Sequence, residues 1–300
     1  MDKVVSKSSA LWARRERESA KELDPMIIGE FSQISSICKD AKIDRIVVAL
    51  DERRGKLPVE QLLACRMKGI RVEEGASFTE ELNGRISVEN LYPSALIFSD
   101  GFTRSRLFKR SKKYFDAVIS ILAMVFAFPI GLMIAIAIKL DSEGPIFYEQ
   151  ERVGKDGKTF KLKKFRSMQN DAEKDGPVWA GLEDSRVTRV GRIIRKMRLD
   201  EMPQIINVMK QEMSFVGPRP ERPFFVKRLE RQVPYYFYRH SVRPGITGWA
   251  QLCYSYGASK EDAIEKLKYD LYYIKNMSLI FDLTIILETI KVVIWGRGAR

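Results

Sequence analysis

The chain has 300 residues, 45 % hydrophobic and 30 % charged, enough for one large domain or two smaller ones. Lys and Arg number 52 against 39 Asp and Glu; the formal charge of +13 suits an anionic partner such as nucleic acid, acidic lipid or a phosphate-rich substrate. Three scattered cysteines exclude a zinc spacing and a disulfide framework and fit a reducing compartment, and a single histidine, His240, excludes a His-rich metal site.

Residues 1–25 are mixed in charge and lack a signal-peptide pattern; Arg14 to Lys21 reads as an exposed helix or a disordered arm. Residues 26–103 read as a partial α/β unit followed by a linker. Phe31 to Ala41 has helical character, and Arg45 to Leu50 is a short apolar run that suits a buried strand. Pro58 opens a helix over Val59 to Lys68, Gly69 ends it, and Ile70 to Glu73 is the next strand. That order predicts a parallel βαβ fragment. No G-x-G-x-x-G follows a strand here, so nothing supports dinucleotide binding. Residues 76–103 read as linker, with Pro93 and Gly101.

Six basic residues, Arg104, Arg106, Lys109, Arg110, Lys112 and Lys113, precede the uncharged run Ala117 to Ile138. About 20 apolar residues match the hydrocarbon thickness of a bilayer, and flanking cations favour anionic headgroups. Pro129 removes a helical hydrogen bond near the middle, which predicts a kink. The helix either spans or turns back. Basic stretches and free cysteines on both sides favour a re-entrant segment over 114–139, with both flanks on the cytoplasmic face.

Gly144 to Gly154 reads as a strand and turn, and Lys158 to Arg166 as a strand alternating basic and apolar side chains. A bilayer-bound protein needs no nucleic acid to explain this charge. Arg186 to Met197 reads as a basic amphipathic helix leading into Arg198-Leu-Asp-Glu-Met-Pro-Gln204. There, Asp200 and Glu201 precede a helix-compatible run. As a helix cap, Asp200 would be kept ionised by free N–H groups and the helix dipole, and nearby cations would lower both carboxylate pKa values. An ionised Asp can act as a nucleophile, and its Glu neighbour can hold a hard metal ion. A plain helix cap is the alternative.

Arg219 lies between Pro218 and Pro220, a stiff frame that suits bidentate contact to phosphate. In Arg243 to Gln251, Pro244-Gly245 makes a turn and Gly248 permits close approach of a ligand or another backbone. His240 suits packing more than catalysis. Residues 260–276 predict a helix with Tyr269, Tyr272 and Tyr273 at a bilayer interface, and 278–295 a helix against the membrane or the core.

From about Lys109 onward the chain resembles the bacterial sugar transferases called monotopic phosphoglycosyl transferases. The motifs are the apolar segment broken at Pro129, Lys164-Phe-Arg-Ser-Met168, Leu199-Asp-Glu-Met-Pro-Gln204, Val216-Gly-Pro-Arg-Pro220, Arg243 to Gln251, Asp270-Leu-Tyr-Tyr-Ile and Asp282-Leu. The resemblance implies an α+β fold: a monotopic membrane protein with a re-entrant helix hairpin and a cytoplasmic catalytic domain over 104–300. A partial, Rossmann-like α/β unit precedes it, and Leu91 to Gly101 is typical of longer members. The place implied is the cytoplasmic face of the bacterial inner membrane.

It also implies transfer of a sugar 1-phosphate, with glucose or galactose expected, from a UDP-sugar to undecaprenyl phosphate, using Mg²⁺ and starting exopolysaccharide assembly. Asp200 matches the nucleophile, Glu201 the metal-binding partner, and Arg219 the nucleotide-contacting arginine. Lys164, Arg166, Arg195, Arg243 and Asp282 match substrate-binding or supporting positions. Arg198 stands where the family usually has Ser. A non-catalytic, membrane-anchored scaffold is the competing expectation, and a homodimer through the N-terminal unit stays open.

Overall fold

The computed structural model describes residues 3–5, 27–40, 43–50, 57–88, 101–169, 186–254, 257 and 259–295. The expectations for Arg14 to Lys21 and for most of Leu91 to Gly101 lie outside them. The chain forms two compact units, Met1–Gly84 and Arg85–Arg300.

In the first unit, β1 (Lys3–Val5) pairs antiparallel with β2 (Ile27–Glu30), and α1 (Ile34–Asp40) follows. The expected βαβ fragment is present. β3 (Arg45–Val48) pairs in parallel with β4 (Arg71–Glu74), and α2 (Val59–Met67) makes the crossover. Ile34, Cys38, Leu62 and Cys65 form its small core. A two-stranded sheet is short of a Rossmann sheet, and the likeness goes no further. The linker expected from residue 76 begins instead as a helix, α3 (Gly75–Asn83). Phe78 packs beneath the Arg45 guanidinium at 5.6 Å, and Gly84 ends the helix at φ 60, a conformation glycine adopts without strain. Both contacts are tertiary or terminal, and composition does not reveal them.

The second unit is mostly helical with two small sheets. Its dominant element is α4 (Arg106–Asp141), a helix of 36 residues with Pro129 inside it. Ser105 caps it, accepting from Phe108 N at 3.1 Å. It is long and apolar enough to cross a membrane. Its buried residues fall at the two ends: Lys112, Asp116 and Ser120, then Ile134 and Ile138. Between them Ile121, Val125, Phe126, Phe128 and Met133 are exposed. Lys112, expected to face headgroups with its neighbours, is instead turned inward onto Asp116 and Asp282.

β5 (Phe147–Val153) and β6 (Thr159–Phe165) form an antiparallel hairpin in which Phe147 and Phe165 stack. Phe165 packs with Ile134 and Ile138 of α4 and with Ile194 of α5 (Arg189–Lys196). α6 (Gln204–Met209) follows a 3₁₀ turn over Leu199–Glu201. β7 (Ser214–Val216) pairs in parallel with β8 (Gly245–Thr247). Gly217 and Gly248 bring two motif loops together: a Cβ on Gly248 would lie 2.2 Å from the Gly217 carbonyl oxygen. The close approach expected at Gly248 is therefore to backbone.

α7 (Pro223–Gln232), α8 (Trp249–Cys253), α9 (Lys260–Asn276) and α10 (Leu279–Trp295) complete the unit. Leu267, Leu271 and Ile274 of α9, Ile285 of α10, Val226 of α7 and Val216 of β7 share one core. Each fully buried aliphatic side chain contributes about 1.5–3 kcal/mol. Tyr273, expected at a bilayer interface, is in this core at 1 % exposure, because its hydroxyl finds partners there.

Candidate active site

The site forms where β6, the 3₁₀ turn and the loop after β7 meet. Thr188 caps α5 by accepting from Gly191 N at 2.9 Å. Arg198 ends the turn of chain that follows, with φ 56 and ψ 20, a left-handed conformation that non-glycine residues enter at a cost. It redirects the backbone so that Leu199–Glu201 folds back over β6. Asp200 is thus not a helix cap: Pro203 occupies the N-cap position of α6, and no side chain caps it.

Glu201 is clamped. Its Oε1 accepts from Lys164 Nζ at 2.8 Å and from Arg219 Nη2 at 2.7 Å. Burial alone would raise its pKa, but the Arg219 and Lys164 charges and hydrogen bonds outweigh burial and hold it well below the usual carboxylate range. Asp200 is different. Its one ion-pair contact among the described residues is to Lys164 Nζ at 4.0 Å. Burial raises its pKa, Glu201 adds to the rise, and Lys164, Arg195 and Arg219 oppose it. The expectation that basic neighbours lower both carboxylates therefore holds for Glu201 and fails for Asp200. Contact decides the difference, because a charge-assisted hydrogen bond offsets desolvation better than a charge at longer range. The two side chains keep 13 % and 12 % exposure, so a substrate can reach them.

The convergence of Arg195 is electrostatic: its charge acts on Asp200, and its Nη1 is buried with no hydrogen-bond partner among the described residues. An unpaired guanidinium N–H beside a carboxylate is a seat for an anionic oxygen. Three expected site residues go elsewhere. Arg166 donates to Ser142 O at 2.6 Å, Ser142 Oγ at 2.9 Å and Glu143 O at 2.8 Å, tying the end of α4. Asp282 is fully buried against Lys112 at 2.8 Å and Tyr273 at 2.7 Å. Arg243 is half-buried, and the charge that offsets its burial is Asp116.

Sequence reading missed the supports. Asn207, fully buried, accepts from Lys163 N at 3.0 Å and donates to Lys161 O at 2.8 Å, joining α6 to the strand that carries Lys164. Arg239 donates to the Arg219 carbonyl oxygen at 3.1 Å and pairs with Asp270 at 2.8 Å. Arg152 donates to Pro220 O at 3.0 Å. A lone Asn in the apolar run Ile205 to Met209 was the one visible signal. His240 is buried as expected, and burial with neighbouring Arg239 pushes its imidazole down to about 3, so it stays neutral at neutral pH.

Hard-cation binding can be tested on the donor set. Among the described residues no group of three His, Cys, Asp or Glu side chains converges. Both cations of the clamp take Glu201 Oε1, so Oε2 takes neither. One or two carboxylate oxygens completed by substrate phosphates and water is the set Mg²⁺ favours, and the residues fit it.

Known proteins are similar to this chain over much of its length. A UDP-N-acetylgalactosamine-undecaprenyl-phosphate N-acetylgalactosaminephosphotransferase of Aeromonas hydrophila is 42 % identical over 80 % of this chain and 56 % of its own length. A UDP-glucose:undecaprenyl-phosphate glucose-1-phosphate transferase of Klebsiella pneumoniae is 37 % identical over 87 % of this chain and 57 % of its own. An exopolysaccharide production protein, PSS, of Rhizobium leguminosarum bv. phaseoli is 39 % identical over 60 % of this chain and 92 % of its own. The chain thus spans about half the length of the first two relatives. The family model described as bacterial sugar transferase matches residues 107–296, which take in α4, the clamp and every support named above, and the chain belongs to that family.

Proposed function

We propose that the chain transfers a sugar 1-phosphate from a UDP-sugar to undecaprenyl phosphate, through a covalent phospho-sugar on Asp200. The observation that carries this reading is the contrast between the two carboxylates: Glu201 is clamped and charged, while Asp200 has no hydrogen-bond partner among the described residues and feels the charge of Arg195, whose Nη1 is unpaired among them. A group held this way is free to attack. Residues 104–300 are the transferase domain in this proposal.

Arg219 and Lys164 bind the donor diphosphate, exchanging part of their hold on Glu201 for phosphate oxygens. Glu201 Oε2, with Asp200, is the place for Mg²⁺, which when bound supplies charge neutralisation to the diphosphate. An Asp200 carboxylate oxygen forms a bond to the sugar-linked phosphorus. The bond from that phosphorus to the bridging oxygen breaks, and UMP leaves with the electron pair. A phosphate oxygen of the polyprenyl acceptor then attacks the same phosphorus, and the bond to Asp200 breaks. Arg195, facing Asp200, orients the acceptor. Two half-reactions of this kind give ping-pong kinetics.

The re-entrant topology is supported by where α4 is buried. Ser120 and Ile134 are 14 residues apart, which at 3.6 residues per turn returns Ile134 to within about 40° of Ser120. The helix therefore rests on its own unit at both ends by one face, and its exposed apolar middle carries Pro129. A bend there lets the middle enter a bilayer from the cytoplasmic face while both arms stay on the domain. Exposed Ile193 and Met197 on α5 extend the apolar surface next to one arm.

Glucose or galactose is the sugar expected from the exopolysaccharide resemblance. The relatives' names divide between glucose and N-acetylgalactosamine, so the donor panel must include the acetamido sugars. The test is UMP release by the purified protein with Mg²⁺, undecaprenyl phosphate and that panel. One UDP-sugar should give UMP and a lipid-linked product. Asp200→Asn should fold and bind membranes and give neither. No UMP with any donor would leave the scaffold reading in place, and full activity of Asp200→Asn would overturn the nucleophile assignment.

A further inference from the structure

A second cluster of charged and hydroxyl groups lies behind the loop that carries Arg219. Lys112 and Asp116 come from α4, Ser214 from β7, Tyr273 from α9 and Asp282 from α10. All are buried; Asp116, Ser214, Tyr273 and Asp282 are at most 2 % exposed. None of them contacts Asp200 or Glu201 within the clamp. Burying so many polar groups is costly unless they are paired, and here they pair with one another and with backbone.

What they act on is β7. Ser214 Oγ donates to Asp116 Oδ1 at 2.9 Å and accepts from Lys112 Nζ at 2.6 Å. Phe215 N donates to the same Asp116 oxygen at 3.3 Å. Tyr273 Oη lies 3.0 Å from Val216 O and 2.7 Å from Asp282 Oδ1, its single proton shared between two acceptors. Asp282 is in turn held by Lys112 at 2.8 Å. Three consecutive residues of β7 are thus each fixed by a buried side chain. Three residues after Val216 comes Arg219, whose guanidinium lies 2.7 Å from Glu201. A displacement of β7 moves Arg219 directly, since Gly217 and Pro218 are packed against β8 and leave no slack.

We propose that Tyr273 is a positioning residue for Arg219, acting through the Val216 carbonyl, and that the Lys112–Asp116 pair of α4 holds the same strand. The inference rests on the transferase reading above and deepens it, since it makes the seating of the apolar helix a condition for donor binding. None of these groups touches substrate. Their effect is confined to the half-reaction that uses Arg219.

The confinement makes the idea testable. In a ping-pong scheme kcat/KM for the donor and kcat/KM for the acceptor report separate half-reactions. Tyr273→Phe removes one oxygen and keeps the ring that fills the core. It should lower kcat/KM for the UDP-sugar about fivefold to tenfold, the range for losing one buried hydrogen bond, with kcat/KM for undecaprenyl phosphate unchanged. In an Arg219→Lys background, which retains a cation, Tyr273→Phe should add little, because residues acting through one another are not additive. Ser214→Ala approaches the strand from another residue and should repeat the pattern, so a folding failure of one variant does not remove the test. Equal loss in both half-reactions, full additivity with Arg219→Lys, or no loss in either variant would each overturn the proposal. Absence of UMP release by the unmutated protein would instead refute the transferase reading itself.

Discussion

Replacing Lys164 by Gln tests the electrostatics of the site most directly. Lys164 Nζ lies 4.0 Å from Asp200 Oδ2 and opposes the rise that burial and Glu201 impose on that carboxyl. Two unit charges at 4 Å interact by about 1 kcal/mol in water and about 4 kcal/mol at an effective dielectric of 20. The side chains are 20 % and 13 % exposed, so the interaction falls between those limits. At 1.36 kcal/mol per unit, removing it moves the protonation of Asp200 upward by about one pH unit or more. In the proposed scheme Asp200 attacks only when ionised, so donor turnover should fall as pH drops through its pKa. In Lys164→Gln that acid limb should move to higher pH, and part of the lost rate should return in alkaline buffer. Glu201 keeps Arg219 and stays charged, so it does not produce the limb. The assay is single-turnover UMP release across pH 5.5–9.5 for both forms, with Lys164→Arg as the charge-retaining control. A limb that stays in place while the rate falls equally at every pH would refute the reasoning and leave Lys164 a binding residue alone.

Other consequences follow from groups outside the clamp. Burial and Arg239 hold His240 neutral down to about 3, against about 6.5 in the unfolded chain. Its folded pKa is depressed, so the unfolded state takes up the proton first and stability is lost as pH falls below about 6.5; between pH 8 and pH 5 the loss is about 2 kcal/mol. Thermal melts should show His240→Phe less acid-labile by about that amount, and an unchanged pH slope would count against it. Arg166→Ala deletes three bonds to Ser142 and Glu143 and should cost about 3 kcal/mol in stability, with the donor KM of the folded fraction unchanged. A raised KM at unaltered stability would return Arg166 to the substrate.

The carboxylate pair was legible because two adjacent acids in a basic stretch, followed by Pro and an apolar run, are compressed into a few residues. Arg219 was legible for the same reason, framed by two prolines. The apolar helix is legible at any distance, because a bilayer-length run needs no partner to be recognised. What sequence order hides is pairing. Lys164 meets Glu201 across 37 positions, and Ser214 meets Asp116 across 98. Which carboxylate is clamped and which is left open is a matter of a few ångströms. Arg243 stands in a motif as dense as that of Asp200, yet its burial is offset by Asp116 of a different cluster. Motif density marks a residue as constrained and is silent on whether the constraint is substrate or fold.

The two clusters differ in their charge balance, and this explains why one is closed and the other open. In the closed cluster Lys112 and Arg243 face Asp116 and Asp282, two cations to two carboxylates. Its charges cancel within the protein, which is the condition for burying them. Around Asp200, three cations, Lys164, Arg195 and Arg219, face two carboxylates. That set does not cancel. Among the described residues Arg195 Nη1 is buried without an acceptor, so the missing charge is missing at a definite atom. An anion is the partner that completes it. A nucleoside diphosphate sugar meets that condition, and so does a lipid phosphate. In the proposed reaction these are the two phosphate-bearing substrates, one for each half-reaction.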